Sequence, residues 1–256
     1  MIQNKRLELI MDILQQEKSV DVNQLSEMLH VTPKTIRLDL KKLENANALQ
    51  RVHGGAVLAN YQVSSFPILS HRQRYATEKA MIAKKAFSLL KENDVILLDD
   101  GSTTLELAKL LGDFKITVLT NDIFIMNELM YKTNVHLYVI GGLLKRDGES
   151  FVINGEDSIQ FIKKYRVNKM FLGVSTIDIE NGLMIFYYGD RSTKRAFMAA
   201  ADEVICMADY TKFNHSAFTR IADVKEVDTI ITDPALPQEE ADKYRALGIN
   251  VIYAEA

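Results

Sequence analysis

The sequence predicts an α/β protein in two parts, and three observations carry that expectation. Residues 1–58 hold three helical apolar patterns followed by two short extended runs around a glycine pair. From about residue 78 onward, short runs rich in Val, Ile and Leu alternate with amphipathic stretches, as expected of a largely parallel sheet covered by helices on both faces. Between them, Asn60, Ser64, Ser65, Pro67 and Ser70 break any sustained period. The expected organisation is a winged helix-turn-helix over 1–58, a linker over 59–77 and a Rossmann-like, largely parallel-sheet domain over 78–256.

In the first part, Leu7, Ile10, Met11, Ile13 and Leu14 form one face of a helix, and Val22, Leu25, Met28 and Leu29 form a second that ends near His30. About three residues then separate it from a third helix in Val31–Leu43, the tight connection of a helix-turn-helix. Thr32 before Pro33 starts that helix, because the hydroxyl caps orphan amides and proline suits the first helical position. Ile36, Leu40 and Leu43 recur at core spacing, which leaves Lys34, Thr35, Arg37, Leu38 and Lys41 on the other side. Taken alone, that window also fits a basic helix on the surface of a bundle; the preceding helices and following strands favour a helix laid in a DNA major groove. Leu49–Val52 and Ala56–Leu58, joined by His53-Gly54-Gly55, read as a two-stranded wing. Candidate DNA contacts are Thr32, Lys34, Thr35, Arg37, Leu38 and Lys41 on the helix, with Arg51, His53 and Gly54 on the wing.

Composition excludes several classes. With 47% hydrophobic and 25% charged residues, the 256-residue chain reads as an ordinary soluble protein. Cys206 is the single cysteine, so no intramolecular disulfide is possible, and its setting of Val204, Ile205 and Met207 suggests a buried core thiol in a reducing compartment. No apolar run approaches the roughly 18–20 residues of a membrane span, and Glu8 and Asp12 interrupt any signal-peptide core; the expected location is the cytoplasm. Histidines 30, 53, 71, 136 and 215 lack ligand spacing, so no metal site is expected. Residues 1–58 carry eight Lys/Arg against seven Asp/Glu, but residues 34–51 carry five against two. Positive potential is therefore local to the third helix and wing, where it steers toward phosphate. One such module neutralises few phosphates, so a homodimer or homotetramer is expected.

In the second part, a helix starting near Glu78-Lys79 and reaching about Leu90 is followed by extended runs at Val95–Leu98, Ile116–Leu119, Val135–Ile140, Met170–Val174, Val204–Met207, Thr229–Thr232 and Val251–Tyr253. Helices are expected at Thr103–Leu111, Ile123–Met130, Asp157–Tyr165, Thr193–Ala201 and Gln238–Leu247, with a glycine-containing loop after Ile140. In open sheets of this kind ligands collect at the carboxyl ends of strands. Asp99-Asp100-Gly101-Ser102-Thr103-Thr104 is such a strand-to-helix turn: hydroxyls and free amides at a helix start can cradle an anion, though a Ser/Thr cluster also serves as a plain cap. Thr120-Asn121-Asp122 and Gly141-Gly142 leave the next two strands, so one shared pocket is expected. Of Asp99 and Asp100, one can accept from a ligand while the other caps the helix. Lys194 and Arg195 are neighbours in a helix, so only one can face a ligand.

Arg6, Ile10, Leu14, Thr32, Thr35-Ile36-Arg37, Asp39-Leu40 and Arg51-Val52-His53-Gly54-Gly55-Ala56 resemble the DNA-binding signature of DeoR-family bacterial transcriptional regulators. The order Asp99-x-Gly101-Ser102-Thr103-Thr104, Thr120-Asn121, Gly141-Gly142, Phe171-Leu172-Gly173, Thr193-Lys194-Arg195 and Asp209-Tyr210-Thr211-Lys212-Phe213 is similar to that family's effector domain, so the resemblance covers essentially the whole chain. It implies a fold like that of ribose-5-phosphate isomerase and a phosphorylated sugar or related metabolite as effector, with no cofactor. It also implies a phosphate held by Gly101, Ser102, Thr103 and Thr104, with Asp99, Asn121, Gly142, Lys194 and Lys212 around the pocket. Arg72 and Arg74 are expected to meet the second domain rather than DNA.

The resemblance departs at Leu38, where a second arginine is common; this implies either one phosphate contact fewer or an apolar contact to a thymine methyl. Ser102 and Asp190 replace a common threonine and glutamate, and the Glu149–Asn154 loop is long for the family. The function implied is a repressor-type regulator of a carbohydrate-utilisation operon that binds double-stranded operator DNA. The rival class is a sugar-phosphate isomerase-like enzyme fused to a DNA-binding module, with Asp99 or Asp100 as base and Lys212 as its electrostatic partner.

Overall fold

The computed structural model describes residues 3–17, 19–45, 48–52, 54–58, 75–147, 150–186 and 191–255. Its main division falls between residues 68 and 69. The linker expectation over 59–77 lies outside the described residues as far as residue 74, as do Arg72, Arg74, His53 and Asp190.

The smaller unit opens with α1 (Gln3–Glu17), β1 (Ser19–Asp21), α2 (Val22–Met28) and α3 (Pro33–Asn45), and closes with β2 (Leu49–Val52) and β3 (Gly55–Leu58). Ile10, Leu14, Leu25, Ile36, Leu40 and Leu43 are fully buried and form its core. Asp21 caps α2 by accepting from the amides of Asn23 and Gln24, at 2.8 and 3.1 Å. His30, with φ of 51°, reverses the chain into α3. Two expectations change. The wing is three-stranded in the order β1-β3-β2, because Val20 pairs with Ala56; a three-residue strand is too short to show a period. Met28 is 53% exposed rather than core, lying on the last turn of α2 beyond the stripe of Val22, Leu25 and Leu29.

The larger unit begins with α4 (Ala76–Phe87), then runs β4 (Val95–Leu98), α5 (Ser102–Leu110), β5 (Ile116–Thr120), α6 (Ile123–Leu129) and β6 (Val135–Val139). A hairpin follows, β7 (Leu143–Asp147) and β8 (Ser150–Asn154), then α7 (Glu156–Ile162) and β9 (Val167–Gly173). The chain continues through β10 (Thr176–Asp178), β11 (Gly182–Ile185), α8 (Arg191–Ala200), β12 (Ala201–Met207), β13 (Thr219–Ala222), β14 (Thr229–Thr232), α9 (Gln238–Ala246) and β15 (Asn250–Tyr253). Seven strands form one sheet in the order β15-β14-β12-β9-β4-β5-β6. Every neighbouring pair in it is parallel.

Burial on both faces explains why these strands read as continuous apolar runs. Leu97, Met170, Leu172, Cys206 and Ile230 join one core layer, and Ile96, Leu98, Phe171, Ile205 and Ile231 join the other. The direction of winding reverses between β4 and β9: β4, β5 and β6 step one way, while β9, β12, β14 and β15 step the other. That reversal opens a crevice at the carboxyl ends of β4 and β9. The segment expected as a loop after Ile140 instead folds as the β7–β8 hairpin, paired from Leu143 with Asn154 to Asp147 with Ser150. A second small antiparallel sheet, β10-β11-β13, was also not expected.

Candidate functional site

The candidate residues fall into two sets, one in each unit. In the smaller unit, the Thr32 hydroxyl accepts from the amide of Thr35 at 3.2 Å and so starts α3, with Pro33 as its first residue. Ile36, Asp39, Leu40 and Leu43 are buried, which turns Lys34, Arg37, Leu38 and Lys41 to the exposed side, with Thr35 half-buried. Leu38 is 55% exposed among these cations. Arg51 on β2 is exposed and tied to α3: its amide donates to Glu44 Oε1 at 3.1 Å, and its guanidinium lies 3.7 Å from Glu44 Oε2. Gly54, at φ of 82°, makes the turn into β3.

Sequence reasoning quoted Arg6 and Asp39 without joining them. Arg6 Nε donates to Asp39 Oδ2 at 2.5 Å and Nη2 to Oδ1 at 3.3 Å, with both side chains buried. The pair locks α1 to α3, so it sets the angle at which the cationic face is presented. A signal for it existed, since Asp39 lies three residues after Ile36 and so on the apolar stripe.

In the larger unit, Asp99 and Asp100 leave β4 at the winding reversal. Lys194 of α8 reaches both, with Nζ donating to Asp99 Oδ2 at 2.5 Å and to Asp100 Oδ1 at 2.6 Å. Asp99 Oδ2 also accepts from the Gly173 amide at 3.1 Å, which ties the ends of β4 and β9 together. A Cβ at Gly173 would lie 2.5 Å from the Asp100 carbonyl oxygen, so no larger residue fits that approach. Burial raises the Asp99 carboxyl to about 7, against the pull of the Lys194 charge. For Asp100, burial also acts upward, but the charge and hydrogen bond of Lys194 outweigh it and hold the carboxyl below its usual value. Lys194 is held above its usual value by the two carboxylates although burial opposes this. Arg195, its neighbour, turns away to Glu226.

Beside this triad α5 starts at Gly101 with no side-chain cap, so its first amides face the crevice unsatisfied by protein side chains. The Gly101 amide itself donates to Asp122 Oδ2 at 3.4 Å, and the Thr104 hydroxyl turns back to the Gly101 carbonyl at 2.9 Å. Ser102 and Thr103 lie half-buried on the same turn. Asp122 meanwhile caps α6 through the amides of Phe124 and Ile125, at 2.7 and 3.1 Å. The Asn121 amide nitrogen donates to the Ile153 carbonyl and to Asn154 Oδ1, both at 3.0 Å. Asn121 is thereby fixed by the hairpin that was expected to be a loop. Gly142, at φ of 148°, passes so close to α7 that a Cβ would lie 2.5 Å from Ser158 Oγ.

Buried Asp99 Oδ1 and Asn121 Oδ1 have no hydrogen-bond partner among the described residues. Two buried acceptors therefore want donors beside a helix start that wants an acceptor. Lys212 lies on the turn that follows β12. It closes a 3₁₀ turn, Tyr210–Lys212, after β12, its amide donates to the Asp209 carbonyl at 3.0 Å, and among the described residues no hydrogen bond joins its ammonium to the Lys194 triad. The structure thus gathers Asp99, Gly101, Ser102, Thr103, Thr104, Asn121 and Lys194 around the crevice, with Gly142 shaping the entry to α7. Asp100, which the sequence offered only as an alternative to Asp99, takes part beside it, as do Asp122, Gly173 and Asn154, which the sequence showed only as parts of motifs or loops. Among the described residues, no group of three or more metal-ligating side chains is present, and no helix is long and apolar enough to cross a membrane.

The profile of the DeoR-like helix-turn-helix domain matches residues 6–62, and that of the DeoR C-terminal sensor domain matches residues 74–234. The chain belongs to the DeoR family. Among DeoR-family relatives, the glycerol-3-phosphate regulon repressor of Escherichia coli is 32% identical over 239 residues, covering 93% of each chain. The L-fucose operon activator of Haemophilus influenzae is 34% identical over 241 residues, covering 94% of this chain and 96% of the relative. Of solved structures, the ribose 5-phosphate isomerase of Methanocaldococcus jannaschii is similar over 53% of each chain, with 18% identity and a TM-score of 0.39. Family membership makes this chain a DNA-binding transcriptional regulator with a sensor domain, and the two relatives are named for the control of a glycerol-3-phosphate regulon and an L-fucose operon.

Proposed function

We propose that the chain is a repressor whose operator affinity is set by a phosphorylated sugar or related polyol phosphate bound in the β4–β9 crevice. Residues 1–58 read DNA and residues 78–256 sense the ligand and assemble the protein, with 59–77 between them. The observation that carries the ligand assignment is the pairing of an uncapped α5 start with the partnerless oxygens Asp99 Oδ1 and Asn121 Oδ1. A phosphate accepts from the amides of Ser102, Thr103 and Thr104 beside Gly101, while ligand hydroxyls donate to the two oxygens. Lys194 and Lys212 supply cations, and Gly142 lets the chain pass close to the site.

On the DNA side, Thr32, Lys34, Thr35, Arg37, Leu38 and Lys41 face the groove, and Arg51, His53 and Gly54 meet the backbone from the wing. The sensor state and DNA binding are linked free energies, so ligand and operator shift each other's affinity by the same factor. The relatives' names support a carbohydrate signal, and that of the E. coli relative a phosphorylated one.

The test is a thermal-shift screen of sugar and polyol phosphates, followed by operator titration with the hit. A ligand at about 100-fold its Kd adds about 2.7 kcal/mol of stability. No shift across the panel, or a hit that leaves operator affinity unchanged, would refute the proposal. Turnover of ribose 5-phosphate or a hexose phosphate by the purified chain would favour the isomerase reading instead.

A further inference from the structure

The two edges of the seven-stranded sheet are treated differently by the chain. At β15 the outward carbonyl of Val251 accepts from Arg245 Nη2 at 2.9 Å, and the same guanidinium lies 5.6 Å from the centre of the Tyr253 ring. That edge is blunted by a charge, a common protection against strand addition. At the other edge, β6 reads Val135-His136-Leu137-Tyr138-Val139, with no Lys, Glu, Asp or Pro and no bulge against β5.

The ladder between β5 and β6 is evenly spaced, and the bonds at its ends show which groups it uses. Ile116 donates to the Asn134 carbonyl at 3.3 Å, and Ile140 donates to the Thr120 carbonyl at 2.9 Å. Even-numbered residues of β6 therefore face β5, and the N–H and C=O groups of Leu137 and Val139 face outward. No other described strand pairs with them.

Exposed apolar side chains lie on β6 and on the segments that flank it in sequence. Of the twelve exposed large apolar residues among the described residues, six fall between positions 130 and 144: Met130, Tyr131, Tyr138, Val139, Leu143 and Leu144. Tyr131 is 82% exposed and Leu143 76%.

We propose that the β6 edge is the surface on which a second copy of this chain docks, the two β6 strands running antiparallel across a two-fold axis. A copy is favoured over a different partner by three features. A two-fold pairing matches each outward N–H to an outward C=O of the same strand. An uncharged strand meets itself without like-charge repulsion. The Arg245-blunted β15 confines strand addition to the one edge, where an open second edge would allow a fibre. The surface lies wholly in the larger unit and holds whatever ligand the crevice takes.

Sedimentation velocity and cysteine cross-linking of the full chain test this. Val139→Lys puts a charge on the bare edge and is expected to raise the dimer Kd about 100-fold. Leu137→Cys, Tyr138→Cys and Val139→Cys are scanned by mild oxidation, because opposed residues of an antiparallel pair lie within disulfide reach. A linked dimer is expected at one or two adjacent positions and not in the wild-type chain, whose Cys206 is buried. A monomeric wild-type chain at micromolar concentration overturns the proposal, as does a dimer that Val139→Lys leaves unchanged and that no edge cysteine traps. If Val139→Lys fails to melt cooperatively, or disagrees with the scan, the cross-linking result decides.

Discussion

Lys194 Nζ sits 2.5 Å from Asp99 Oδ2 with both side chains shut away from water, although they lie 95 positions apart in sequence. Removing one member of a buried pair leaves the other charge without a partner. Lys194→Met strands two carboxylates and is expected to cost about 3 kcal/mol, near the low end for buried pairs because Asp99 can take up a proton instead. Asp99→Asn is expected to cost less, since Lys194 keeps Asp100. Urea unfolding of the two variants checks the order.

Asp99 also sets a pH dependence. Its folded value of about 7 lies above the ~3.9 of an unfolded aspartate, so the native state holds the proton more tightly. Its contribution is therefore full below about pH 4 and is lost as pH rises through about 7. Asp100 is shifted downward and Lys194 upward, so neither titrates between about pH 4 and 7. Relative to Asp99→Asn, the wild-type protein should lose stability across that window, by at most about 1.4 kcal/mol per pH unit for one proton. Equal slopes in the two proteins would show that Asp99 is ionised throughout.

The strands of the large sheet were legible because burial on both faces writes them as apolar runs, and the turn at Asp99–Thr104 because Gly, Ser and Thr mark a strand-to-helix corner. What joined the site together was not. A lysine at position 194 gives no sign of burial until Asp99 and Asp100 are brought to it by the winding reversal. The β7–β8 hairpin hid because Lys145 and Arg146 interrupt its apolar pattern, leaving Phe151, Val152 and Ile153 to be read as loop. Strands β10 and β11, of three and four residues, are shorter than the window in which alternation can be counted.

In the smaller unit, Arg6 and Asp39 form the matching long-range pair. Asp39→Ala leaves Arg6 in an apolar setting and is expected to destabilise the unit by about 2 kcal/mol, less than for a pair deep in a large core. Replacing both, Arg6→Met with Asp39→Leu, should recover most of that loss, because packed apolar side chains need no charge partner. Melting of the wild-type protein and the two variants decides. If the double variant is as unstable as Asp39→Ala, the pair's hydrogen bonds matter more than its buried charge.

The cationic face of α3 separates two kinds of contact. Arg37→Ala should lower operator affinity by about 1–3 kcal/mol if Arg37 reads a base, with relaxed discrimination at one position; if it meets phosphate, the loss should be uniform across sequences and the salt slope should fall by about 1. Leu38 differs because it carries no charge and yet is more than half exposed between Arg37 and Lys41. An apolar side chain there can distinguish bases only through a methyl group, and thymine alone presents one in the major groove. Leu38→Arg should therefore shift preference away from thymine and steepen the salt dependence, while Leu38→Ala should weaken binding with the slope unchanged. Selection of operators from a random duplex pool by the wild-type protein and the two variants measures both. Identical preferences for the wild-type and Leu38→Arg proteins would mean that position 38 does not face the bases, and that α3 reads DNA through its other candidates, Thr32, Lys34, Thr35, Arg37 and Lys41.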